Sequence, residues 1–184
     1  MYHGQACQQM ETAFNVFEKF LRKVRPSRIV ELGSGKGGWA RFLRDALDSN
    51  GLKDSPVFTY DQREWQKDSY PKKGLFYENK DFYQEFDSIK KLTQRTGLSL
   101  ILCDGAKKVE EMRKFAPCLK SGDVIMAHDF IKDKETFQSE FYPHRWKWHQ
   151  VSEDKISDIC EQNDLEPFWQ DEMAEIVWAC RRKK

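Results

Sequence analysis

The amino-acid sequence predicts an α/β fold with a doubly wound, mostly parallel sheet, helices on both faces and an antiparallel C-terminal strand. Segments that read as strands alternate along the chain with segments whose apolar residues recur every three or four positions. Two strand segments, LSLILCD (98–104) and DVIMAHD (123–129), are apolar on both faces, as the central strands of a parallel sheet are. Because no linker or change in composition divides the chain, we expect residues 1–184 to form one domain.

The composition narrows the class of protein. Hydrophobic residues make up 39% of the chain and aromatic residues 14%, which is typical of a globular domain. The 31 Lys and Arg residues nearly balance the 30 Asp and Glu residues, so nucleic acid is not an expected partner. No run approaches the roughly 20 apolar residues that span a bilayer, and the five cysteines form no C-x-x-C pair. We therefore expect a cytoplasmic protein without a membrane partner.

The first half of the chain begins with a helix. Apolar residues at spacings of three and four predict an amphipathic helix from Cys7 to Val24, which Pro26 ends. Residues 1–25 are therefore predicted to form an N-terminal helical cover. Strands are predicted at RIVEL (28–32), PVFTYD (56–61) and GLFYENKD (74–81), and helices at GWARFLRDAL (38–47) and FYQEFDSIKKLTQR (82–95).

The second half continues the alternation around the two central strands. A helix is predicted at 107–120 between them, and residues 131–151 after the second strand show no clean period. Ser152 is a good N-cap for a helix over 152–163. LEPFWQ (165–170) and AEIVWACR (174–181) predict two final strands that pair antiparallel.

A glycine-rich turn, ELGSGKGGW (31–39), joins the first strand to the following helix. Glycines there let the backbone approach a ligand closely, and the helix N-terminus offers free N–H groups. The pattern Gly33-x-Gly35-x-x-Gly38 also fits the dinucleotide fingerprint, and a tight turn without any ligand is the plainer alternative.

Two carboxylates favour S-adenosylmethionine over NAD as the ligand of this turn. Glu31 lies inside the end of the first strand, where it can face a cationic amino-acid group. Asp61, at the end of the next strand, is further from the glycines than the roughly 20 residues usual in NAD-binding folds. Its carboxylate can still accept hydrogen bonds from both ribose hydroxyls.

At these positions the sequence resembles the class I S-adenosylmethionine-dependent methyltransferases, which have a Rossmann-like sheet. VELGSGKGGW (30–39), YD (60–61) and NKD (79–81) resemble the first three motifs of that family. LILCDGAKKVEEMRKFAPCLKSGDVIMAHDF (100–130) resembles its cephalosporin hydroxylase-like and macrocin-type sugar O-methyltransferases. The resemblance implies a set of cofactor-binding residues: Glu31, Gly33, Ser34, Gly35, Gly37, Trp39, Asp61, Asp81, Phe82 and Asp104. Asp81 has a simpler reading as a helix N-cap.

The same resemblance implies a divalent metal, Mg²⁺ or Mn²⁺, bound by Asp104 and Asp129 with His128 beside them. Such a metal lowers the pKa of an acceptor hydroxyl and orients it. His128 stands where metal-binding relatives carry an acid, and a nitrogen ligand suits Mn²⁺ better than Mg²⁺. The sequence also leaves two alternatives open. His128 can act alone as a general base, or the three residues can have purely structural roles.

The implied activity is O-methyl transfer, with or without a metal, to a hydroxyl of a small molecule or sugar. FYPHRWKWHQ (141–150) mixes aromatic and cationic residues, so residues 131–151 are a predicted acceptor-side segment, with core packing or a homo-oligomer contact as the alternative. A nucleic-acid ribose methyltransferase is a second candidate, because GGW (37–39) and LCD (102–104) resemble that group, but the fifth strand lacks its lysine. A non-catalytic S-adenosylmethionine-binding subunit and an NAD oxidoreductase are further alternatives.

Overall fold

The computed structural model describes residues 1–63 and 72–184. Strands within this part of the chain are β1 (Arg28–Leu32), β2 (Val57–Tyr60), β3 (Leu75–Glu78), β4 (Ser99–Cys103), β5 (Val124–His128), β6 (Phe130–Ile131), β7 (Val151–Ser152), β8 (Leu165–Pro167) and β9 (Trp178–Lys183). Seven of them form one sheet in the order β3-β2-β1-β4-β5-β9-β8, and β6 pairs with β7 separately. The first five strands are parallel, and β9 runs antiparallel to both β5 and β8.

Helices cover both faces of this sheet. They are α1 (Glu11–Val24), α2 (Gly38–Ser49), α3 (Phe86–Thr93), α4 (Lys108–Phe115), α5 (Lys134–Thr136), α6 (Glu153–Gln162) and α7 (Gln170–Ala174). A 3₁₀ turn at Ala116–Cys118 extends α4, and a π-helical turn at Phe137–Phe141 extends α5. No helix in the described ranges is long and apolar enough to cross a membrane.

Alternating side chains of the central strands divide the core into two layers. Leu100 and Leu102 of β4 belong to the layer that contains α1 and α2, and Ile101 belongs to the layer that contains α3, α4 and α6. Because β1, β4 and β5 bury both faces, the sheet must be covered on both sides. The predicted α/β class, the mostly parallel sheet and the antiparallel C-terminal strand are therefore confirmed.

Several boundaries differ from those predicted. Helix α1 begins at Glu11 rather than near Cys7, because Met10 is extended and the segment before it follows a non-helical path. Helix α3 is shorter than predicted and begins at Phe86. The sequence predicts one strand that ends at position 170 and another that begins at position 174. In the structure, α7 occupies the stretch between these two positions. Trp169 and Val177 bracket it with left-handed backbone conformations (φ 52° and 58°), which interrupt the extended chain.

Candidate active site

The glycine turn approaches the end of β4 too closely for any side chain. Gly33 has φ of 102°, and a Cβ built there would lie 2.4 Å from the Asp104 carbonyl oxygen. The amide groups of Gly33 and Ser34 both donate to the Tyr60 carbonyl, over 2.9 and 3.1 Å. Gly37 is the left-handed N-cap of α2. The turn thus joins the carboxyl ends of β1, β2 and β4 at one edge of the sheet.

Glu31 is a buried carboxyl group with one unpaired oxygen. Its Oε2 accepts a hydrogen bond from Thr59, whose hydroxyl also pairs with that of Ser34. Its Oε1 is buried and has no hydrogen-bond partner among the described residues. Burial raises the pKa of Glu31 to about 8; the bond from Thr59 opposes this rise, and the nearby carboxylates add to it. A buried polar atom without a partner is costly, so Oε1 is a candidate contact for a ligand cation.

Asp61 and Asp81 both fix backbone turns. The carboxylate of Asp61 accepts from the Gly35 amide at 3.0 Å and from the Arg63 amide at 2.9 Å. It therefore ties the end of β2 to the glycine turn. Asp81 accepts from the Tyr83 amide at 2.9 Å and lines an open surface cleft. It is not the predicted helix N-cap, because α3 begins later in the chain, with Glu85 at that position.

Phe82 and Trp39, two predicted cofactor contacts, lie in different parts of the structure. Phe82 is buried, and its ring closely approaches the backbone at Gly105, directly after Asp104. Trp39 instead lies in the core between α1 and α2, with its ring 4.8 Å from both Phe17 and Phe42. The aromatic residues of α1 and α2 surround the ring, and its Nε1 is buried without a hydrogen-bond partner among the described residues. Its contact with the cofactor stays a prediction.

The ends of β4 and β5 hold a buried histidine–carboxylate pair. His128 Nδ1 lies 2.9 Å from Asp104 Oδ1, and the imidazole is 2% exposed. His128 Nε2 is buried without a hydrogen-bond partner in the described residues. The indole rings of Trp146 and Trp178 lie beside the imidazole, with centroids at 5.1 and 4.7 Å. If Nδ1 carries the proton that Asp104 accepts, Nε2 keeps a free lone pair.

Asp129 is engaged on both of its oxygens. Oδ1 accepts from the Trp146 indole at 2.8 Å, and Oδ2 lies 3.0 Å from Lys108 Nζ. The residue adopts a left-handed backbone (φ 58°), which turns the chain sharply after β5. Its neighbour His128 is the last residue of β5, and His128 Nδ1 lies 3.7 Å from Asp129 Oδ1.

Gln9, from the segment before α1, bridges two parts of the site. Its amide nitrogen donates to Asp104 Oδ2 at 2.9 Å, and its amide oxygen accepts from the Trp178 indole at 3.0 Å. Sequence reasoning missed Gln9, Trp178 and the ion pair of Lys108. Only Lys108 left a signal, because a lysine at the first position of a helix opposes the helix dipole and therefore calls for a local reason.

The predicted metal site is not supported by the donor set. Asp104, His128 and Asp129 do lie together, but His128 Nδ1 already faces Asp104, and a lysine ammonium faces Asp129. Within residues 1–63 and 72–184, no three His, Cys, Asp or Glu side chains are arranged to hold a metal ion. The lysine supplies positive charge beside the carboxylates, so a divalent ion there would meet repulsion rather than free ligands.

Comparison with known proteins supports the same fold. No family model matches the sequence, and no curated protein matches it. Among solved structures, CmcI with Mg and SAM superposes with a TM-score of 0.71 at 17% identity, over 100% of this chain and 75% of CmcI. The O-methyltransferase TomG from Streptomyces achromogenes, in complex with SAM, gives 0.57 at 10% identity, over 99% of this chain and 83% of TomG. The MycE methyltransferase, in complex with Mg, SAH and mycinamycin VI, gives 0.51 at 14% identity, over 91% of this chain and 48% of MycE. The chain therefore has the fold of these methyltransferases, as its motifs predict.

Proposed function

We propose that this protein is an S-adenosylmethionine-dependent O-methyltransferase that acts on a hydroxyl group of a small molecule. One observation carries the proposal: the buried His128–Asp104 pair, 2.9 Å apart, stands at the carboxyl ends of adjacent strands beside the glycine turn. Ligands of open α/β sheets bind at that edge. The fold shared with CmcI, TomG and MycE supports the same conclusion.

The cofactor part of the proposal depends on Glu31. Its unpaired Oε1 is suited to the ammonium group of an amino acid, which S-adenosylmethionine carries and NAD lacks. Asp61, after the end of β2, is the proposed contact for the ribose, and its carboxylate accepts from the Gly35 amide. We retain Gly33, Ser34, Gly35, Gly37, Asp81, Phe82 and Asp104 as proposed contacts along the same edge.

Binding of S-adenosylmethionine should release a proton from Glu31. Burial places the pKa of Glu31 at about 8, so the group is mostly protonated at pH 7, and a cation at Oε1 favours the carboxylate. We expect close to one proton released at pH 7, and an affinity that rises with pH between about 6 and 8. Calorimetric titration in buffers of different ionisation enthalpy measures this release. The Glu31→Gln variant, which cannot ionise, is the control, and equal release from both proteins would refute the assignment.

The side chains of the site are assigned two tasks, which are to remove the proton of the acceptor hydroxyl and to orient the base that takes it. When bound, S-adenosylmethionine supplies a methyl group on a cationic sulfur, which the acceptor oxygen takes as the carbon–sulfur bond breaks. Asp104 holds the imidazole of His128 through Nδ1, so Nε2 is the atom that receives the proton of the acceptor hydroxyl. Gln9 fixes the second oxygen of Asp104. The His128–Asp104 pair is therefore held in a fixed orientation, which lowers the free-energy cost of reaching the reactive geometry.

Residues 131–151 are proposed to meet the acceptor. Two contacts of Trp146 support this role, because its indole binds Asp129 and its ring lies 5.1 Å from that of His128. Trp148 in the same segment is 66% exposed, which leaves an aromatic surface for a sugar or another ring. A sugar acceptor, a homo-oligomer and a cytoplasmic location remain predictions.

Methyl transfer can be tested with a panel of acceptors. The purified protein is incubated with S-adenosylmethionine and small hydroxylated compounds, including sugars and phenols, and release of S-adenosylhomocysteine is measured. We expect release that depends on a small-molecule acceptor. Methylation of RNA ribose with none on small molecules would instead support the nucleic-acid alternative. Tight cofactor binding without transfer to any acceptor would favour a non-catalytic subunit.

A further inference from the structure

Lys108 is a buried lysine at the centre of the proposed acceptor site. It is 6% exposed and is the first residue of α4. Its ammonium nitrogen lies 3.0 Å from Asp129 Oδ2 and 2.8 Å from the Gly105 carbonyl oxygen. Asp104 Oδ1 is 3.9 Å away, beyond hydrogen-bond distance. The described residues therefore provide close acceptors for two of its three N–H donors.

The surroundings hold the ammonium in one place. Trp146 fixes the other oxygen of Asp129, and the side chains of Lys108 and Asp129 are each 7% exposed. Glu111, in the next turn of α4, accepts from the Gly105 and Lys107 amides at 3.0 and 2.9 Å, so the loop that carries the Gly105 carbonyl is also fixed. A lysine buried in this way is a preorganised positive charge.

We infer that Lys108 is a catalytic residue whose ammonium group binds the acceptor oxygen and stabilises the negative charge that develops there during methyl transfer. The inference rests on the proposed function and explains why the three residues predicted to bind a metal form no such site. A fixed ammonium beside Asp104 and Asp129 supplies the positive charge that a divalent ion would otherwise provide. The proton of the hydroxyl goes to His128 Nε2, and Lys108 keeps its own protons throughout.

The inference predicts metal-independent activity and a large effect of the lysine charge. Lys108→Met keeps an unbranched side chain of similar length without the charge, and we expect turnover to fall about 10²–10³-fold, as when one oxyanion donor is removed. S-adenosylmethionine affinity should stay within about threefold, because Glu31 and Asp61, the proposed charged contacts of the cofactor, stand at the ends of β1 and β2, and the lysine makes no hydrogen bond to Asp104. Lys107→Ala is the matched control, since Lys107 is the adjacent lysine and is exposed. Wild-type turnover should be unchanged after treatment with a chelator.

Metal binding provides a readout that does not depend on activity. Removal of the lysine in Lys108→Ala leaves carboxylates without their cation, so we expect this variant to bind Mn²⁺ in an electron paramagnetic resonance titration while the wild type does not. Wild-type binding of Mn²⁺ as tight as that of Lys108→Ala, or wild-type turnover abolished by the chelator, would overturn the inference. Unchanged turnover in Lys108→Met would overturn it as well.

Two controls keep the result interpretable. Removing Lys108 alone leaves Asp129 buried without its partner, so Lys108→Met combined with Asp129→Asn is made to avoid an unpaired charge. If Lys108→Met does not fold, the double variant carries the test, and full turnover in it would overturn the inference. Wild-type protein that binds no S-adenosylmethionine contradicts the proposed function itself, whereas an active wild type with an equally active Lys108→Met contradicts only the role of the lysine.

Discussion

Replacement of His128 by alanine is expected to lower the rate of methyl transfer by about 10²–10⁴-fold, the usual contribution of a positioned general base. The imidazole nitrogen Nε2 is buried and has no hydrogen-bond partner within residues 1–63 and 72–184, while Nδ1 faces Asp104. Its loss removes the proposed proton acceptor but leaves the glycine turn and Glu31 in place. The effect should therefore fall on turnover, while calorimetry should show nearly unchanged affinity for S-adenosylmethionine.

His3→Ala is a suitable control for this experiment. His3 is a solvent-exposed histidine whose Nε2 lies 3.6 Å from the carboxylate of Asp45 on α2. Its replacement should leave turnover unchanged. If His128→Ala keeps wild-type turnover while the protein remains folded, the assignment of His128 as the base is wrong. Because Asp104 orients the imidazole, Asp104→Asn should reduce turnover in the same direction.

Replacement of Gly33 by alanine is expected to cause the largest loss of stability among the site residues. The new Cβ would lie 2.4 Å from the Asp104 carbonyl oxygen and 2.6 Å from the Gly105 amide nitrogen, both backbone atoms that cannot move aside cheaply. The φ of 102° adds strain for any residue with a Cβ. We expect the free energy of unfolding to fall by about 3 kcal/mol or more, as for other severe backbone clashes.

The variant Gly51→Ala separates the effect of a steric clash from the effect of backbone strain. Gly51 also has a positive φ, of 72°, but no atom lies within 4 Å of a Cβ built there. Its replacement should cost only about 1–2 kcal/mol, the usual penalty for a left-handed residue. Chemical denaturation of both variants measures the difference. Equal losses would show that the close approach of the glycine turn to β4 is not a constraint on the fold.

The arrangement of strands was predictable because it follows from simple patterns. β1, β4 and β5 are short apolar runs that bury both faces, and polar residues mark their ends. Boundaries were predicted less well where local patterns conflict with tertiary contacts. The segment before α1 carries residues compatible with a helix, yet it runs in a non-helical path that brings Gln9 to Asp104. The turn around α7 depends on left-handed residues that a sequence does not reveal.

Some residues of the site were predictable because they stand where strands end. Parallel strands bring their carboxyl ends to one edge, so Glu31, Asp104 and His128 were expected to lie together. Contacts made by long side chains from other elements could not be predicted in this way. Lys108 reaches Asp129 across the turn after β4, and that contact changes the interpretation of the carboxylates from a metal site to an ion pair.

The most direct test of the account is a pair of calorimetric titrations of the wild-type protein, one with S-adenosylmethionine and one with NAD. The buried Glu31 carboxyl and the Asp61-bound glycine turn predict one binding site for S-adenosylmethionine and none for NAD. Glu31→Gln should weaken the binding of S-adenosylmethionine, because the amide cannot pair with the ammonium group as a carboxylate does. Binding of NAD without binding of S-adenosylmethionine would contradict the proposed cofactor and, with it, the proposed methyl transfer.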